Sequence, residues 1–423
     1  MNRPRVALSV AGVSLAGYVL LGVFGSGDAW WLGDLRVYHD GGAAVLSGDG
    51  DLYEAAPGRL PFTYTPWAGL LFTSFGWMSW DVVRVLGVAA NLALLGAATW
   101  LAWGLAGVRE RAARVPLAVI TGAALLWTEP VQENLRFGQI NLLLVVLVLA
   151  DLARPRGSRV AGVGIGLAAG LKLTPAIFIP YLLLTGRVRE GLTAIGVFAG
   201  TVAVAFVVLP RECVDYWGGL FLDDSRIGLA QFPGNQSLNG AVARWYGEQS
   251  PPGWVWPVLA VLFGAVGMLL AVLSARRGAA ALGAGLCGLT GLLVSPISWT
   301  HHWVWALPLV VALAAWARRS ATPGAVGSLI VVAALIAAFP MHRPRVSGLL
   351  PGGVVWMVPF GEGRESRLYG WQLVVGNAYV LAGVVVLGAV LVSAVRGWDR
   401  RMDRIHPFVR FGDADSARSV PLS

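Results

Sequence analysis

The side chains best suited to acid–base chemistry in this chain lie in short polar segments between long apolar runs. Asp34 follows the first apolar run, and His301 and His302 end the segment Ser295-Pro-Ile-Ser-Trp-Thr-His-His302. A carboxylate in such a position could act as a general base and remove a proton from a hydroxyl. An imidazole could bind a phosphate, orient the carboxylate or shuttle a proton. These residues predict proton transfer close to a membrane surface.

Both sets of residues also have a structural interpretation. An aspartate that precedes a helical segment commonly caps it by accepting backbone N–H bonds, and the position of Asp34 alone favours this role. Paired histidines near a membrane interface are as often structural as catalytic. Adjacent residues on a helix point about 100° apart, so we expect only one of His301 and His302 to face a given cavity.

Lys172 is the only lysine in the chain, because every other residue in the lysine-plus-arginine total of 32 is an arginine. It ends an apolar run, where an ionisable side chain is costly and is by default a candidate for binding an anion such as a phosphate. The alternative is snorkelling, in which the stem packs and the ammonium reaches the headgroups. Because arginine is so strongly preferred elsewhere, we favour phosphate binding for Lys172. Arg36, close to Asp34, is the second candidate for this role.

Several uncharged polar side chains are suited to hydrogen-bonding sugar hydroxyls, although amides can equally satisfy loop backbone. These candidates for binding a sugar or an acceptor are Tyr64, Gln139, Asn141, Asn235 and Gln236. Neither a metal nor a cofactor is predicted. The segment Asp49-Gly-Asp51 has the Asp-x-Asp form that holds a divalent ion in many nucleotide-sugar transferases, but its glycine and serine neighbours favour a turn.

The composition is that of a polytopic membrane protein with an all-α fold. Of 423 residues, 56% are hydrophobic and only 13% are charged, far from the balance of soluble domains. The net charge of +9 would suggest nucleic acid in a soluble chain. Here the arginines occupy short loops between apolar runs, so the bilayer is the expected partner and nucleic acid is not.

Twelve apolar runs predict about ten to thirteen membrane crossings, several of them short or tilted. The runs are Val6–Phe24, Val82–Leu105, Val115–Thr128, Ile140–Leu152, Val160–Leu171, Ala176–Leu184, Gly191–Leu209, Trp254–Leu273, Ala279–Val294, Trp303–Trp316, Val326–Phe339 and Trp371–Val395. They predict one membrane domain over residues 1–395 and a basic, then polar, tail over 396–423.

The arginines predict the orientation of this domain. With a cytoplasmic amino terminus, the arginine-rich loops and the tail all fall inside, provided that the segment Pro61–Trp80 does not span but is interfacial or re-entrant. The polar clusters then share the extracytoplasmic face of the plasma membrane, and both termini are cytoplasmic. Four arginines in the predicted outer loop Pro340–Gly370 depart from this rule. The first run could also be a cleaved signal peptide, but its length favours a retained helix.

Taken together and in order, the motifs closely resemble those of glycosyltransferase family 87, the actinobacterial polyprenol-phosphate-mannose-dependent alpha-1,2-mannosyltransferases. The motifs are Asp34-Leu-Arg-Val-Tyr, Leu60-Pro-Phe-Thr-Tyr-Thr-Pro66, Phe137-Gly-Gln-Ile-Asn-Leu-Leu143, Leu171-Lys-Leu-Thr-Pro-Ala176, Asn235-Gln-Ser237 and Ser295-Pro-Ile-Ser-Trp-Thr-His-His-Trp-Val-Trp305. The resemblance extends from about Val6 to Val395. One departure is Thr65, where the family usually has a second proline.

The resemblance implies a GT-C fold with extracytoplasmic catalytic loops. It implies an inverting transfer of mannose from a polyprenyl-phosphate-mannose donor to a hydroxyl of a cell-envelope glycolipid or lipoglycan. In the family the aspartate of the first outer loop is the catalytic base, which corresponds to Asp34, and a histidine of the Trp-Thr-His-His run assists it. The acceptor stays open.

Two other functions compete with this one. Related enzymes transfer arabinofuranose from a lipid phosphate, and similar amides would bind either sugar. A lipid-glycan transporter or flippase is a different class, but it would place charges at mid-membrane and show related halves. This chain instead concentrates its polar residues at one face.

Overall fold

The structure, a computed structural model, describes residues 3–24, 30–48, 52–54, 59–320, 339–340 and 351–395. These residues form helices α1 Arg3–Phe24, α2 Gly33–Ser47, α3 Pro66–Gly76, α4 Trp80–Leu105, α5 Arg111–Leu125, α6 Glu129–Phe137, α7 Asn141–Ala153, α8 Val163–Leu171, α9 Phe178–Leu184, α10 Val188–Val208, α11 Pro210–Gly218, α12 Leu238–Tyr246, α13 Val255–Arg276, α14 Ala280–Val294, α15 Leu307–Ser320, α16 Trp371–Gly376 and α17 Ala378–Val395. Short 3-10 helices include Thr174–Ile177 and Thr300–Ala306, and the antiparallel strands β1 Phe339–Pro340 and β2 Pro351–Gly352 form a two-residue pair.

Five helical stretches among the described residues are long and apolar enough to cross a membrane. They are Trp80–Leu105, Val188–Val208, Val255–Arg276, Thr300–Arg319 and Ala378–Val395, and the bent pair α6 and α7 would make a sixth. Shorter apolar helices cover Leu8–Leu20, Thr174–Leu184 and Ala280–Val294. The prediction of an all-α polytopic membrane protein is therefore confirmed. The count of ten to thirteen crossings stays a prediction.

Two of the predicted runs have a different outcome. The run Trp371–Val395 is two helices, because α16 ends at Gly376 and α17 begins at Ala378. The buried guanidinium of Arg244 donates to the Asn377 side-chain oxygen between them, at 3.0 and 2.7 Å. The run Val326–Phe339 lies outside the described residues except for its last residue, and the tail over 396–423 lies outside them entirely.

The segment between Pro61 and Trp80 contains the 11-residue helix α3, which is too short to cross a bilayer and packs against α2. Glycine permits this close approach, because a Cβ on Gly42 would lie 1.9 Å from the Phe72 carbonyl oxygen. Thr65 caps α3 by accepting the Ala68 N–H at 3.2 Å and donates its hydroxyl to the Gly170 carbonyl. A proline at position 65 could make neither bond. The threonine found here, where the family pattern has proline, therefore joins this segment to the end of α8.

The helices that carry the polar motifs break at one end of the bundle. Between α6 and α7 the chain turns by 116°, with Gly138 in the left-handed region at φ +68°, where glycine is favoured. The break brings Gln139 and Asn141 to the start of α7. Lys172 ends α8, and the 3-10 helix Thr300–Ala306 packs against α6 and α7. Three separate segments therefore bring polar side chains to the same region.

Candidate active site

Asp34 lies in the first turn of α2 and is partly buried. The residue at the cap position is Leu32, and no side chain caps this helix, so the capping interpretation of Asp34 is wrong. One carboxylate oxygen of Asp34 instead accepts a hydrogen bond from the side-chain amide nitrogen of Gln139. A carboxylate held by one oxygen keeps its second oxygen for another partner.

Gln139 connects Asp34 to two buried tyrosines. Its side-chain oxygen lies 3.0 Å from the Tyr38 hydroxyl and 2.9 Å from the Tyr64 hydroxyl, and these two hydroxyls are 2.7 Å apart. Since each phenol has one proton, two of these three hydrogen bonds form at a time. In every arrangement a tyrosine donates to the amide oxygen, which leaves the amide nitrogen facing Asp34.

Lys172 lies on the other side of this cluster. Its side-chain nitrogen is 3.2 Å from the Asn141 side-chain oxygen, 3.1 Å from Nε2 of His302 and 5.3 Å from the centre of the Tyr64 ring. The nitrogen is therefore held inside the cluster by specific partners, which is not the arrangement of a snorkelling side chain.

The two histidines have different surroundings. Both are buried, and their rings meet edge to face with centroids 4.7 Å apart. His302 contacts Lys172 through Nε2 and the Trp299 N–H through Nδ1. His301 packs 5.0 Å from the Phe137 ring, and its Nε2 is buried with no hydrogen-bond partner among the described residues. That nitrogen is a candidate for binding a ligand.

Three predicted residues are not brought into this cluster. The Arg36 guanidinium pairs with Asp40 at 2.9 Å and lies 4.9 Å from the Trp80 ring. The amides of Asn235 and Gln236 are fully buried and bind backbone groups, which is the structural alternative considered for them. Their predicted roles in binding phosphate and sugar stay predictions.

We expect Arg36→Gln to lower kcat/KM less than about fivefold, because an ion pair in contact with solvent contributes at most about 1 kcal/mol and that of Arg36 is partly exposed. Steady-state kinetics with the lipid-phosphate donor that the family resemblance implies would check this, with Arg84→Gln as a control, since Arg84 forms a more exposed ion pair with Asp81 at 3.2 Å. A hundredfold loss specific to Arg36→Gln would instead place the donor phosphate on this guanidinium.

Burial moves the pKa values of Asp34 and Lys172 toward pH 7. Asp34 and Lys172 lie outside the helices that are long enough to span a membrane. Burial raises the pKa of Asp34 to about 6, although the Gln139 bond and the Lys172 charge act in the opposite direction. Burial lowers the pKa of Lys172 to about 8, while the charge of Asp34 opposes this shift. The pKa values of both groups thus lie nearer to physiological pH than those of an ordinary aspartate and lysine.

A second layer of buried polar residues was not predicted. Asn141 donates to Asn134 at 3.3 Å, and Asn134 donates to Asn91 at 3.0 Å. The fully buried Glu129 accepts from the Trp356 indole and the Tyr379 hydroxyl. Two glutamates four residues apart, Glu129 and Glu133, in a short polar segment between two apolar runs were the signal that could have revealed this layer.

Within the described ranges, no three histidine, cysteine or acidic side chains come close enough together to hold a metal ion. The Asp49-Gly-Asp51 segment lies outside the described residues. The cluster around Asp34, Lys172 and the histidines is the candidate catalytic arrangement in the described part of the chain.

Comparison with known proteins decides the family. The model of glycosyltransferase family 87 matches residues 62–296. The chain belongs to this family. No solved structure matches the chain significantly. As a member of glycosyltransferase family 87 with several apolar helices, it is a multi-pass membrane glycosyltransferase.

Mycobacterial relatives extend the match beyond these residues. The chain is 34% identical to a polyprenol-phosphate-mannose-dependent alpha-(1-2)-phosphatidylinositol mannoside mannosyltransferase of Mycobacterium tuberculosis, over 91% of this chain and 90% of that protein. It is 32% identical to the protein of the same name in Mycolicibacterium smegmatis, over 93% and 90%. It is 31% identical to a polyprenol-phosphate-mannose-dependent alpha-(1-2)-phosphatidylinositol pentamannoside mannosyltransferase of Mycobacterium tuberculosis, over 88% and 83%.

Proposed function

We propose that this enzyme transfers mannose from polyprenyl-phosphate-mannose to a hydroxyl of a mannosylated phosphatidylinositol, forming an alpha-1,2 linkage with inversion. The relatives named above, each matched over more than four fifths of both chains, support the donor and the class of acceptor. The observation that carries the mechanism is the joining of Asp34, Gln139, Asn141, Lys172 and the two histidines from separate segments into one connected cluster.

Asp34 acts as the general base in this proposal. The acceptor hydroxyl attacks the anomeric carbon of the bound sugar, and its proton passes to the free oxygen of the Asp34 carboxylate. The bond between the anomeric carbon and the phosphate oxygen breaks, and both of its electrons leave with the lipid phosphate. Attack and departure on opposite faces of the ring invert the anomeric carbon.

The leaving phosphate gains a negative charge as the bond breaks, and stabilising that charge is the second requirement of the reaction. Lys172 lies beside Asp34 and supplies a cationic nitrogen. The unpartnered Nε2 of His301 is a further group that could donate to the phosphate when protonated at that nitrogen. The leaving group is a lipid monophosphate and not a nucleotide diphosphate, so cationic side chains can take the place of a metal in this step.

The cluster belongs, in this proposal, to the extracytoplasmic side. Asn141 begins α7 at the cluster, and Ala153 ends the same helix about 20 Å away. There, Arg187 donates to the Leu152 carbonyl, and Arg156 donates to the Thr185 carbonyl. The arginine-rich loops and the cluster thus occupy opposite ends of α7. The positive-inside rule assigns the arginines, together with both termini, to the cytoplasm.

The test is an assay of purified protein in lipid, with polyprenyl-phosphate-mannose and a mannosylated phosphatidylinositol acceptor. The linkage and anomeric configuration of the product are read by NMR. We expect an alpha-1,2-mannosylated lipid with the mannose donor and none with polyprenyl-phosphate-arabinofuranose. Product with the arabinose donor alone would replace mannose by arabinofuranose in the proposal. Translocation of the lipid between leaflets without any product would favour the flippase.

The pH dependence of kcat/KM should report Asp34, since this parameter follows the ionisations of the free enzyme. The base is active as a carboxylate, and its pKa is raised to about 6. Activity should therefore rise with pH through about 6 and fall tenfold for each pH unit below it. A matched profile of donor binding, measured without turnover, separates this ionisation from binding. An acid limb near pH 4, the range of an ordinary aspartate, would contradict the role of burial here.

A further inference from the structure

The direction of the hydrogen bonds around Lys172 is fixed by the backbone at two points. The first is the Trp299 N–H, which lies 3.2 Å from Nδ1 of His302. A backbone N–H can only donate, so Nδ1 of His302 must be the unprotonated, accepting nitrogen. In a neutral imidazole the single proton then resides on Nε2. His302 consequently presents an N–H, and not a lone pair, to Lys172 at 3.1 Å.

The second fixed point is the carbonyl of His301. The Asn141 side-chain nitrogen lies 3.4 Å from this carbonyl oxygen, and a carbonyl can only accept. The amide nitrogen of Asn141 therefore faces His301, and its oxygen faces Lys172 at 3.2 Å. Lys172 must donate to Asn141.

Lys172 is thus required to donate to one neighbour and to accept from the other. A neutral amine has two N–H groups and one lone pair, and it meets both requirements. An ammonium has three N–H groups and no lone pair, so it would direct a proton at the N–H of His302. To accommodate an ammonium, His302 would have to move its proton to Nδ1 and give up the bond from the Trp299 N–H.

Of the other groups around Lys172, some favour the ammonium and others favour the neutral amine. The carboxylate of Asp34 on α2 favours the ammonium, as does the face of the Tyr64 ring at 5.3 Å. Burial favours the neutral amine. The N–H that His302 directs at Lys172 does so too, as would a positive charge on His301 or His302. A single added anion is sufficient to change this balance, because an opposite charge within about 4–6 Å shifts a pKa by about 1–3.

We infer that Lys172 is a neutral amine before the donor binds and takes up a proton from solvent when the anionic phosphate of the donor arrives. The identity of that donor rests on the proposed function, whereas the neutral amine rests on the hydrogen bonds alone. The incoming sugar phosphodiester carries one negative charge, and the ammonium formed at Lys172 offsets it. After transfer the phosphomonoester carries a further negative charge beside the same ammonium. Lys172 therefore becomes cationic when the anion arrives, and before that no ammonium is buried at this position.

The single lysine of this chain makes the protonation state directly measurable. Protein produced with lysine labelled by 15N at the side-chain nitrogen and by 13C at the adjacent carbon gives one lysine signal. Loss of that signal in Lys172→Arg confirms its origin. Burial lowers the pKa of Lys172 to about 8, and the N–H of His302 should lower it further, so we expect the signal in detergent micelles to titrate with a midpoint below about 7. A midpoint at or above about 8 would leave the ammonium as the main form at physiological pH and would overturn the inference.

Two further titrations separate the effect of the His302 N–H on the pKa of Lys172 from the effect of burial, and they test proton uptake by Lys172. His302→Leu keeps the apolar volume but removes the N–H donor, so we expect its midpoint to rise, whereas an unchanged midpoint would assign the effect to burial alone. Farnesyl phosphate should raise the wild-type midpoint by about 1 to 3 pH units, and farnesol should leave it unchanged. An equal response to both lipids would overturn proton uptake. The titration of the free protein needs no sugar donor, so it can fail while the mannosyl transfer assay succeeds, or succeed while that assay fails.

Discussion

Replacing Asp34 by asparagine should lower kcat by about a hundred- to ten-thousandfold, the usual contribution of a positioned general base. The substitution is nearly isosteric, and an asparagine oxygen can still accept the hydrogen bond that Gln139 donates to Asp34. The packing of α2 and the geometry of the cluster should therefore survive. What disappears is the basic oxygen that receives the proton of the acceptor hydroxyl.

A matched control is available on α4. Asp81 is also in the first turn of its helix, but its side chain is 80% exposed and pairs with Arg84 at the surface. Asp81→Asn should keep near wild-type kcat and thermal stability. Both variants are measured for mannosyl transfer, for donor binding and for unfolding temperature. If Asp34→Asn turned over within threefold of wild type while folded and binding donor, another group would have to be the base.

Most of the cluster could be predicted from the sequence, because the polar motifs lie at the ends of apolar runs. Asp34 follows the first run, Gln139 and Asn141 begin another, and Lys172 ends a third. Because successive helices cross the membrane in opposite directions, the ends that carry the polar motifs are expected on the same side of the membrane. The distances between the side chains could not be obtained in this way. They depend on the 116° turn between α6 and α7 and on the approach of α3 to the end of α8.

The residues that behave differently show which physical information was missing. Arg36 is two residues from Asp34, and on a helix two residues differ in direction by about 200°, so its side chain faces Asp40 and Trp80. That conclusion required knowing that residues 33–47 are helical. Asn235 and Gln236 are amides, and an amide serves a sugar or a loop backbone equally well, so the composition of their motif could not decide between the two. Only the loop geometry reveals which partners they have.

Replacing Gln139 by leucine should have the second-largest effect, because Gln139 holds the base in place and stabilises its charged form. Leucine has a similar volume but donates no hydrogen bond to Asp34 and accepts none from Tyr38 or Tyr64. The Gln139 bond lowers the pKa of Asp34. Without it the pKa should rise above about 6, so less carboxylate is present at a given pH. We expect kcat to fall by about tenfold or more, since a hydrogen bond to a charged group contributes about 1.5–3 kcal/mol.

The pH profile separates this positioning role from a direct contact between Gln139 and the sugar. A lost sugar contact would raise KM or lower kcat equally at all pH values. A lost bond to the base moves the acid limb of kcat/KM to higher pH, so part of the activity should return between about pH 7 and 8, above the raised pKa. Gln249, an exposed glutamine after α12, provides a control through Gln249→Leu. An acid limb that stayed near pH 6 in Gln139→Leu, together with a raised KM, would make Gln139 a sugar-binding residue and leave the orientation of Asp34 to other groups.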